Sequence, residues 1–389
     1  MSKKDVLLNS PERFEREYQI PERKLEFAIE KALDVLEKNM ERFGDRFPQN
    51  RSEYAVYKKG EENNNWTCGL FTGTYWLAYE LSGERKFKEF AEKHINSFFS
   101  RVESDIEMDT HDVGFCFSPS CVAAYKITGD KRAKQIAIAA AEKLMHYRWC
   151  ERDGFIWCCG HRIIVDTMIN IPLLFWASEE TGDDKFRHAA ISHYKNTLKY
   201  LVRDDYSTYH HFEINEQTGE PIRGVTLQGY SDESCWSRGH AWTVYGFPIA
   251  YSYTKDESLV DVSKNLAYYA LNHLPEDLIP YWDFDFVSGD EPRDSSAGAI
   301  CVCGMMDMCR YLPDSAPQKK IFKNASAMML EALIDNCTTP PHKYAEGLLY
   351  KTSGAVPFGI SIEDIAPYGD YPYIEALTRF VKPSWERYL

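Results

Sequence analysis

The chain has 389 residues, with 45 basic against 59 acidic side chains and a formal charge of −14. No lysine or arginine block offsets that excess, which argues against nucleic acid or an anionic membrane surface as a partner. Eleven cysteines, an odd number, sit largely inside apolar stretches (Cys116, Cys121, Cys301, Cys303, Cys309), so free, mostly buried thiols are expected and not a disulfide frame.

The start, Met1-Ser2-Lys3-Lys4-Asp5, lacks an apolar signal core, and no apolar run reaches the roughly 18 residues that a membrane helix needs, so a cytoplasmic protein without membrane contact is expected. Residues 1–24 read as an N-terminal extension. A helix from about Leu25 to Asn39 follows. Then, five times, an apolar helical run ends in a short turn and a second run begins: Ser82-Gly83-Glu84, Thr128-Gly129-Asp130, Thr181-Gly182-Asp183, Thr254-Lys255-Asp256 and Leu312-Pro313-Asp314. Glycine just past a helix suits the left-handed position that ends it, and the acidic residue after it suits the next helix start. The runs before the turns (Phe71 to Leu81, Cys121 to Ile127, Ile169 to Ala177, Trp242 to Tyr253, Ala299 to Leu312) are apolar on most sides; those after are amphipathic, as in Arg132 to Leu144. A last apolar stretch, Tyr373 to Val381, closes the chain. Phe212-Glu213-Ile214, before the Asn215 to Gly219 turn, reads as a short strand.

Pairing the two ends with each other makes six helix pairs. Equal repeats would suggest an open solenoid, but these turns are unevenly spaced and separated by long aromatic loops. The expectation is therefore an all-α fold, an (α/α)6 barrel of six inner and six outer helices. With no Pro/Ser/Gly-rich linker, residues 25–389 form one catalytic domain, a monomer or weak homo-oligomer.

In such a barrel, the loops entering the inner helices converge on one rim, where helix N-termini favour anions. Five segments take that position. Trp66, in Asn63-Asn64-Asn65-Trp66-Thr67-Cys68-Gly69, is either a stacking platform for a sugar ring or a plug in the barrel mouth. His111-Asp112-Val113-Gly114-Phe115 offers a carboxylate that an N-cap would equally explain. Asp166, in Arg162-Ile163-Ile164-Val165-Asp166-Thr167-Met168-Ile169-Asn170, is a lone carboxylate in an apolar run; burial would raise its pKa toward a general acid, whereas an N-cap or a salt bridge to Arg162 is the plainer reading. Tyr209-His210-His211, with Thr226 to Trp242, brings together Gln228, Arg238 and Trp242, where Arg238 suits a two-pronged grip on a carboxylate unless the group is a structural polar network. Glu291 to Ala297 reads as an N-cap and turn that shores up the rim.

Metal and nucleophile chemistry find less support. Cys158-Cys159-Gly160-His161 and Cys301-Val302-Cys303 lack the usual zinc spacings, and no His-Glu-x-x-His helix, nucleophile elbow or phosphate-binding glycine loop occurs. What survives is carboxylate acid/base work on a small, sugar-like anionic ligand.

At these residues the sequence resembles the unsaturated glucuronyl hydrolases of glycoside hydrolase family 88. The likeness is carried by Trp66-Thr-Cys-Gly, His111-Asp112-Val-Gly-Phe, Arg162-Ile-Ile-Val-Asp166, Tyr209-His210, Gln228-Gly-Tyr-Ser-Asp-Glu-Ser and Trp236-Ser-Arg238-Gly-His-Ala-Trp242, in order, over nearly the whole chain. The resemblance implies an enzyme that removes the 4,5-unsaturated uronic acid from the non-reducing end of lyase-generated glycosaminoglycan oligosaccharides by hydrating the vinyl ether. It implies Asp166 as general acid/base and Asp112 as the second essential carboxylate. His210, Gln228, Arg238 and Trp242 would bind the uronate, Trp66 and His111 would line the subsite, and no metal or organic cofactor would be needed. The two carboxylates are expected within about 5 to 10 Å of each other, as in cooperating glycosidase pairs.

The chain departs from the family pattern at Cys68, where relatives usually carry an acidic residue, and at Tyr350-Lys351-Thr352-Ser353-Gly354-Ala355, which only partly resembles a sulfate-contacting loop. Two other readings fit the same residues: an unsaturated rhamnogalacturonyl hydrolase acting on pectin fragments, and a non-catalytic sugar-binding barrel.

Overall fold

The computed structural model describes residues 3–58, 60–338 and 344–389; Met1 and Ser2 of the chain start lie outside them. Fourteen α-helices are described: α1 (Glu12–Glu15), α2 (Glu22–Phe43), α3 (Cys68–Ser82), α4 (Arg85–Glu103), α5 (Val113–Phe117), α6 (Ala123–Thr128), α7 (Lys131–Arg148), α8 (Pro172–Thr181), α9 (Asp184–Asn196), α10 (Ser237–Thr254), α11 (Ser258–Asn272), α12 (Ser295–Cys309), α13 (Pro317–Cys337) and α14 (Pro367–Val381). A wide π-type turn, Ser118–Val122, joins α5 to α6, and a 3-10 turn, Val165–Ile169, leads into α8. Among the described residues, no helix is long and apolar enough to cross a membrane.

Two helix classes follow from the hydrophobic pattern. α3 is buried continuously from Cys68 to Ala78, and α10 from Ser237 to Ala250. In α2, by contrast, Leu25, Ala28, Ala32, Leu36, Asn39 and Phe43 are buried at helical spacing, which leaves a wet face. Each buried helix packs on an amphipathic partner: α3 on α4, α6 on α7, α8 on α9, α10 on α11, α12 on α13, and α14 on α2. The buried helices also pack on one another: α3 on α5, α5 on α8, α8 on α10, α10 on α12, α12 on α14, and α14 on α3.

The turns are built much as the sequence reading expects. Gly83, Gly129 and Gly182 take left-handed φ values of 71°, 74° and 74°. Asp130 and Asp183 then accept the backbone N–H of Arg132 and Lys185, and Asp256 that of Ser258. At the fourth turn Lys255 takes the left-handed position itself, at φ 56°. The fifth departs: α12 ends at Arg310 with φ −69°, and Asp314 holds Lys319 at 2.7 Å.

Small antiparallel ladders decorate the loops: β1 (Ser52–Glu53) with β2 (Val56–Tyr57), β3 (Trp149–Cys150) with β4 (Phe155–Ile156), and a three-stranded sheet of β5 (Arg162–Ile164), β6 (His211–Ile214) and β7 (Pro221–Val225). The strand expected at Phe212 to Ile214 is β6, paired Ile164 to His211 on one side and His211 to Val225 on the other. All eleven cysteines are free, and all but Cys150 and Cys159 are buried.

Toward the C-terminal ends of α10, α12 and α14, buried charge is matched within the protein. Arg379 contacts Asp307 at 3.1 Å and Glu375 at 2.8 Å, and Arg387 reaches Asp307 at 3.1 Å. Burial alone would raise the Asp307 carboxyl, but Arg387 and Arg379 hold it below its ordinary value.

At the N-terminal ends, backbones press directly on backbones. A Cβ at Gly69 would lie 2.0 Å from the Cys116 carbonyl oxygen, and one at Gly114 would lie 2.3 Å from Asn170 Cα. These two glycines set the spacing of the starts of α3, α5 and α8. Since the obstructing atoms are backbone, Gly114→Ala is expected to destabilise the fold by about 1–3 kcal/mol, the range for overpacking a tight interior, measured by urea unfolding.

Candidate active site

Six helix starts carry the polar and aromatic side chains of interest. Trp66 precedes α3, Asp112 is the residue before α5, Asp166 lies in the 3-10 turn before α8, Arg238 is in the first turn of α10, Asp294 caps α12, and Tyr368 is in the first turn of α14. The plainer readings of both aspartates do not describe their contacts. Asp112 occupies the N-cap position of α5 but makes no side-chain capping bond. Arg162, which could have neutralised Asp166, pairs with Glu213 at 2.9 Å. Both carboxylates keep a little solvent contact, 18% for Asp112 and 15% for Asp166.

Asn170 links the two. Its side-chain Oδ1 accepts the Phe115 N–H at 2.8 Å, its Nδ2 donates to the Asp166 carbonyl at 3.2 Å, and it is fully buried. Its side chain also lowers the Asp112 carboxyl against the effect of burial. The start of α5 and the turn bearing Asp166 are thus held by one amide. The carboxylates are near enough to interact electrostatically: burial raises the Asp112 carboxyl, His111 opposes this, and Asp166 pushes it further up. Burial likewise raises Asp166, opposed by His111, His211 and Arg238.

Their surroundings differ in hydrogen bonding. His111 Nε2 lies 3.3 Å from Asp112 Oδ1. Asp166 Oδ2 is buried without a hydrogen-bond partner, and His210 Nε2, itself unpartnered, lies 3.6 Å from it. The sheet delivers that histidine: Val165 N–H donates to the His210 carbonyl at 3.0 Å, immediately before β6. The Gln228 N–H donates to His210 Nδ1 at 3.3 Å, so the neutral ring carries its proton on Nε2, facing Asp166. Burial, then Arg238 and His111, hold His210 far below its ordinary pKa.

An aromatic wall surrounds the pair. Trp66 stacks on Tyr368, with centroids 5.4 Å apart and planes 11° apart, and leans on Phe115, which contacts Trp242 at 5.1 Å. Trp66 is partly exposed, whereas Trp242 is 3% exposed and serves mainly as backing. Arg238 is sandwiched by Trp236 and Tyr368, 4.5 Å from each ring. Its guanidinium is already engaged: Nη1 contacts Asp294 at 2.6 Å and the Ser353 carbonyl, while Nη2 reaches the Gly354 carbonyl at 2.6 Å and Gln228 Oε1 at 3.4 Å. The two-pronged grip expected from sequence is therefore spent on the protein. Arg238 thus pins the Tyr350 to Ala355 stretch through the Ser353 and Gly354 carbonyls and also reaches Gln228.

Sequence reading placed Trp66, His111, Asp112, Asp166, His210, Gln228, Arg238 and Trp242 in one region, and these side chains do come together. It gave no role to Asn170 or Tyr368, and it treated the segment holding Asp294 as a cap and turn. Asn170 carries a signal in hindsight, as a polar side chain in an apolar run; Tyr368 has none, because it joins the wall only through tertiary packing. Cys68, the departure from the family pattern, is buried beside Cys116, and burial pushes its thiol up to about 12.

The chain is similar over most of its length to known proteins. Residues 39–306 match Glycosyl Hydrolase Family 88. An unsaturated chondroitin disaccharide hydrolase of Streptococcus agalactiae is 41% identical, covering 98% of this chain and 97% of its own. An unsaturated glucuronyl hydrolase of Bacillus sp. is 37% identical, covering 90% and 95%. The crystal structure of unsaturated glucuronyl hydrolase from Streptococcus agalactiae superposes with a TM-score of 0.96 at 41% identity, covering 100% of this chain and 99% of that one. A variant of that enzyme complexed with dGlcA-GalNAc6S gives a TM-score of 0.90 at 40% identity, covering all of both chains. A hydrolase whose family, length and fold agree this closely needs no separate classification: the chain belongs to glycoside hydrolase family 88.

Proposed function

We propose that the chain removes the 4,5-unsaturated uronic acid from the non-reducing end of lyase-generated glycosaminoglycan oligosaccharides by hydrating its double bond. The observation that carries this reading is the pair of nearly buried carboxylates, Asp112 and Asp166, tied together through Asn170 but unlike in their hydrogen bonding. Asp166 has a buried oxygen lacking a partner, and burial raises its carboxyl above the ordinary value, the direction a general acid needs. It gives its proton to C4 of the enol ether and takes one from the water that adds at C5. The net addition of one water leaves a hemiketal at C5, which opens and releases the shortened sugar. Asp112, for which His111 at 3.3 Å opposes the effect of burial, acts in its ionised form and stabilises the positive charge that develops on the ring.

Trp66 offers a flat, partly exposed face to the sugar, and Gln228 a polar tip beside Arg238. Arg238 supplies positive potential and holds the loop, without a bidentate contact to the uronate. No metal or organic cofactor enters the scheme. We read the helices as an (α/α)6 barrel, supported by buried-helix contacts that run from α3 through α5, α8, α10 and α12 to α14 and back to α3. Residues 25–389 act as one catalytic unit behind a short extension, in a cytoplasmic protein that works as a monomer or weak oligomer.

The substrate assignment is tested by incubating the purified protein with unsaturated disaccharides prepared by lyases from chondroitin, hyaluronan and pectin, and following the ultraviolet absorbance of the conjugated double bond. Bleaching of the glycosaminoglycan products is expected; bleaching of pectin products alone would reject the assignment. Asp166→Asn is expected to lose at least about 10²-fold in kcat, the usual contribution of general acid–base catalysis. Because burial raises the Asp166 carboxyl in the folded state, ionising it costs stability as pH rises above the ordinary carboxylate range. The same variant should therefore melt no lower than the parent at neutral pH, a comparison made by calorimetry. The pH profile has a matching sign: kcat/KM should fall as pH rises through the raised Asp166 pKa, and a profile flat across that limb would exclude Asp166 as the acid.

A further inference from the structure

Beside the carboxylate pair lies a group of side chains that the hydration chemistry does not use. The segment after β4 places Cys158 and Cys159 next to each other in sequence, and β6 places His211 against them. One ligand atom from each of the three lies within 4.8 Å of the others. Their accessibility is graded: Cys158 is fully buried, His211 is 4% exposed and Cys159 is exposed. His211 Nδ1 is buried without a hydrogen-bond partner, although buried imidazole nitrogens are ordinarily satisfied. His161, the histidine nearest in sequence, is not part of the group; it faces Asp153 at 2.6 Å.

We propose that Cys158, Cys159 and His211 form a binding site for a single thiophilic divalent cation of the zinc and cadmium class. Two sulfurs and one imidazole make a soft donor set, which selects these ions over magnesium or calcium. A tetrahedral ion with bonds of ~2.3 Å to sulfur and ~2.0 Å to nitrogen keeps its ligands under about 4 Å apart, so the three atoms need only a small closure. Exposed Cys159 is the entry point. On binding, each thiol releases its proton to the buffer and bonds through sulfur, the imidazole contributes its lone pair, and no electrons are exchanged. The fourth position is left to water. Sequence reading rejected zinc here because Cys158-Cys159-Gly160-His161 has the wrong spacing; the third ligand comes instead from a strand 50 residues further along, roughly the separation that antiparallel pairing of β5 and β6 bridges.

The position gives the site a consequence. Cys158 interacts electrostatically with Asp166 and Cys159 with His111, and the His211 ring lies 4.0 Å from that of His210. A bound dication there adds positive charge next to Asp166 and favours its ionised form, the wrong form for protonating a double bond. The cation is thus an inhibitor and not a cofactor.

The test is titration of the full-length protein with Cd2+ in thiol-free buffer, followed by the ultraviolet thiolate-to-metal charge-transfer band and by equilibrium dialysis, neither of which depends on catalytic activity. Saturation at one Cd2+ per chain is expected, with Zn2+ competing. Cys159→Ser, a change at an exposed position, should shrink the band and weaken binding by at least about tenfold, and His211→Gln should weaken it similarly while keeping the sulfur band. No saturable Cd2+ binding by the parent protein, or an unchanged band and affinity in Cys159→Ser, would overturn the proposal.

Discussion

The structure depends on a backbone contact without side chains. Where Gly114 meets Asn170, two chain segments approach so closely that even a methyl group would collide with main-chain atoms. The Asn170 side chain then bonds across the contact in both directions, to the Phe115 N–H and the Asp166 carbonyl. Helix starts separated by about 50 residues of chain are thereby held at fixed spacing, to within what hydrogen bonds allow. The spacing of Asp112 and Asp166 is thus set by main chain and one amide, without help from flexible charged side chains.

The two ends of the helical assembly treat buried charge in opposite ways. At the C-terminal ends of the buried helices, Arg379 and Arg387 meet Asp307 and Glu375 at hydrogen-bonding distance, and the charges are matched within the protein. At the N-terminal ends, Asp166 Oδ2 and His210 Nε2 face each other 3.6 Å apart, each buried and unsatisfied. Leaving such groups unpaired costs of the order of 1–3 kcal/mol each. The matched end supplies cohesion; the unmatched end leaves a carboxyl whose ionised form burial disfavours. Arg238 belongs to both descriptions, since its guanidinium is paired with Asp294 and two carbonyls while its field still reaches Asp166.

The aromatic side chains have a similar double duty. Trp66, Tyr368, Phe115 and Trp242 form a continuous wall in which only some faces meet solvent. The more buried members fix the orientation of Trp66, so its partly exposed ring is already ordered.

Much of this was legible in the residue order. Helix pairs announced themselves because burial on all sides and burial on one face leave different periodicities, and because Gly83, Gly129 and Gly182 suit a conformation that other residues avoid. Asp112 and Asp166 stood out as carboxylates at the mouths of apolar runs, and the long Gln228 to Trp242 block was specific enough to indicate a family. Spatial partnership was not legible. That Asp112 caps nothing, that Arg162 turns to Glu213, that Arg238 spends its fork on Asp294 and the Ser353 and Gly354 carbonyls, and that His211 joins Cys158 and Cys159 all depend on which distant segment lies opposite. Local propensity reports on neighbours within a few residues; the identity of a side chain's partner is decided by packing between helices and by strand register, which only the folded chain determines.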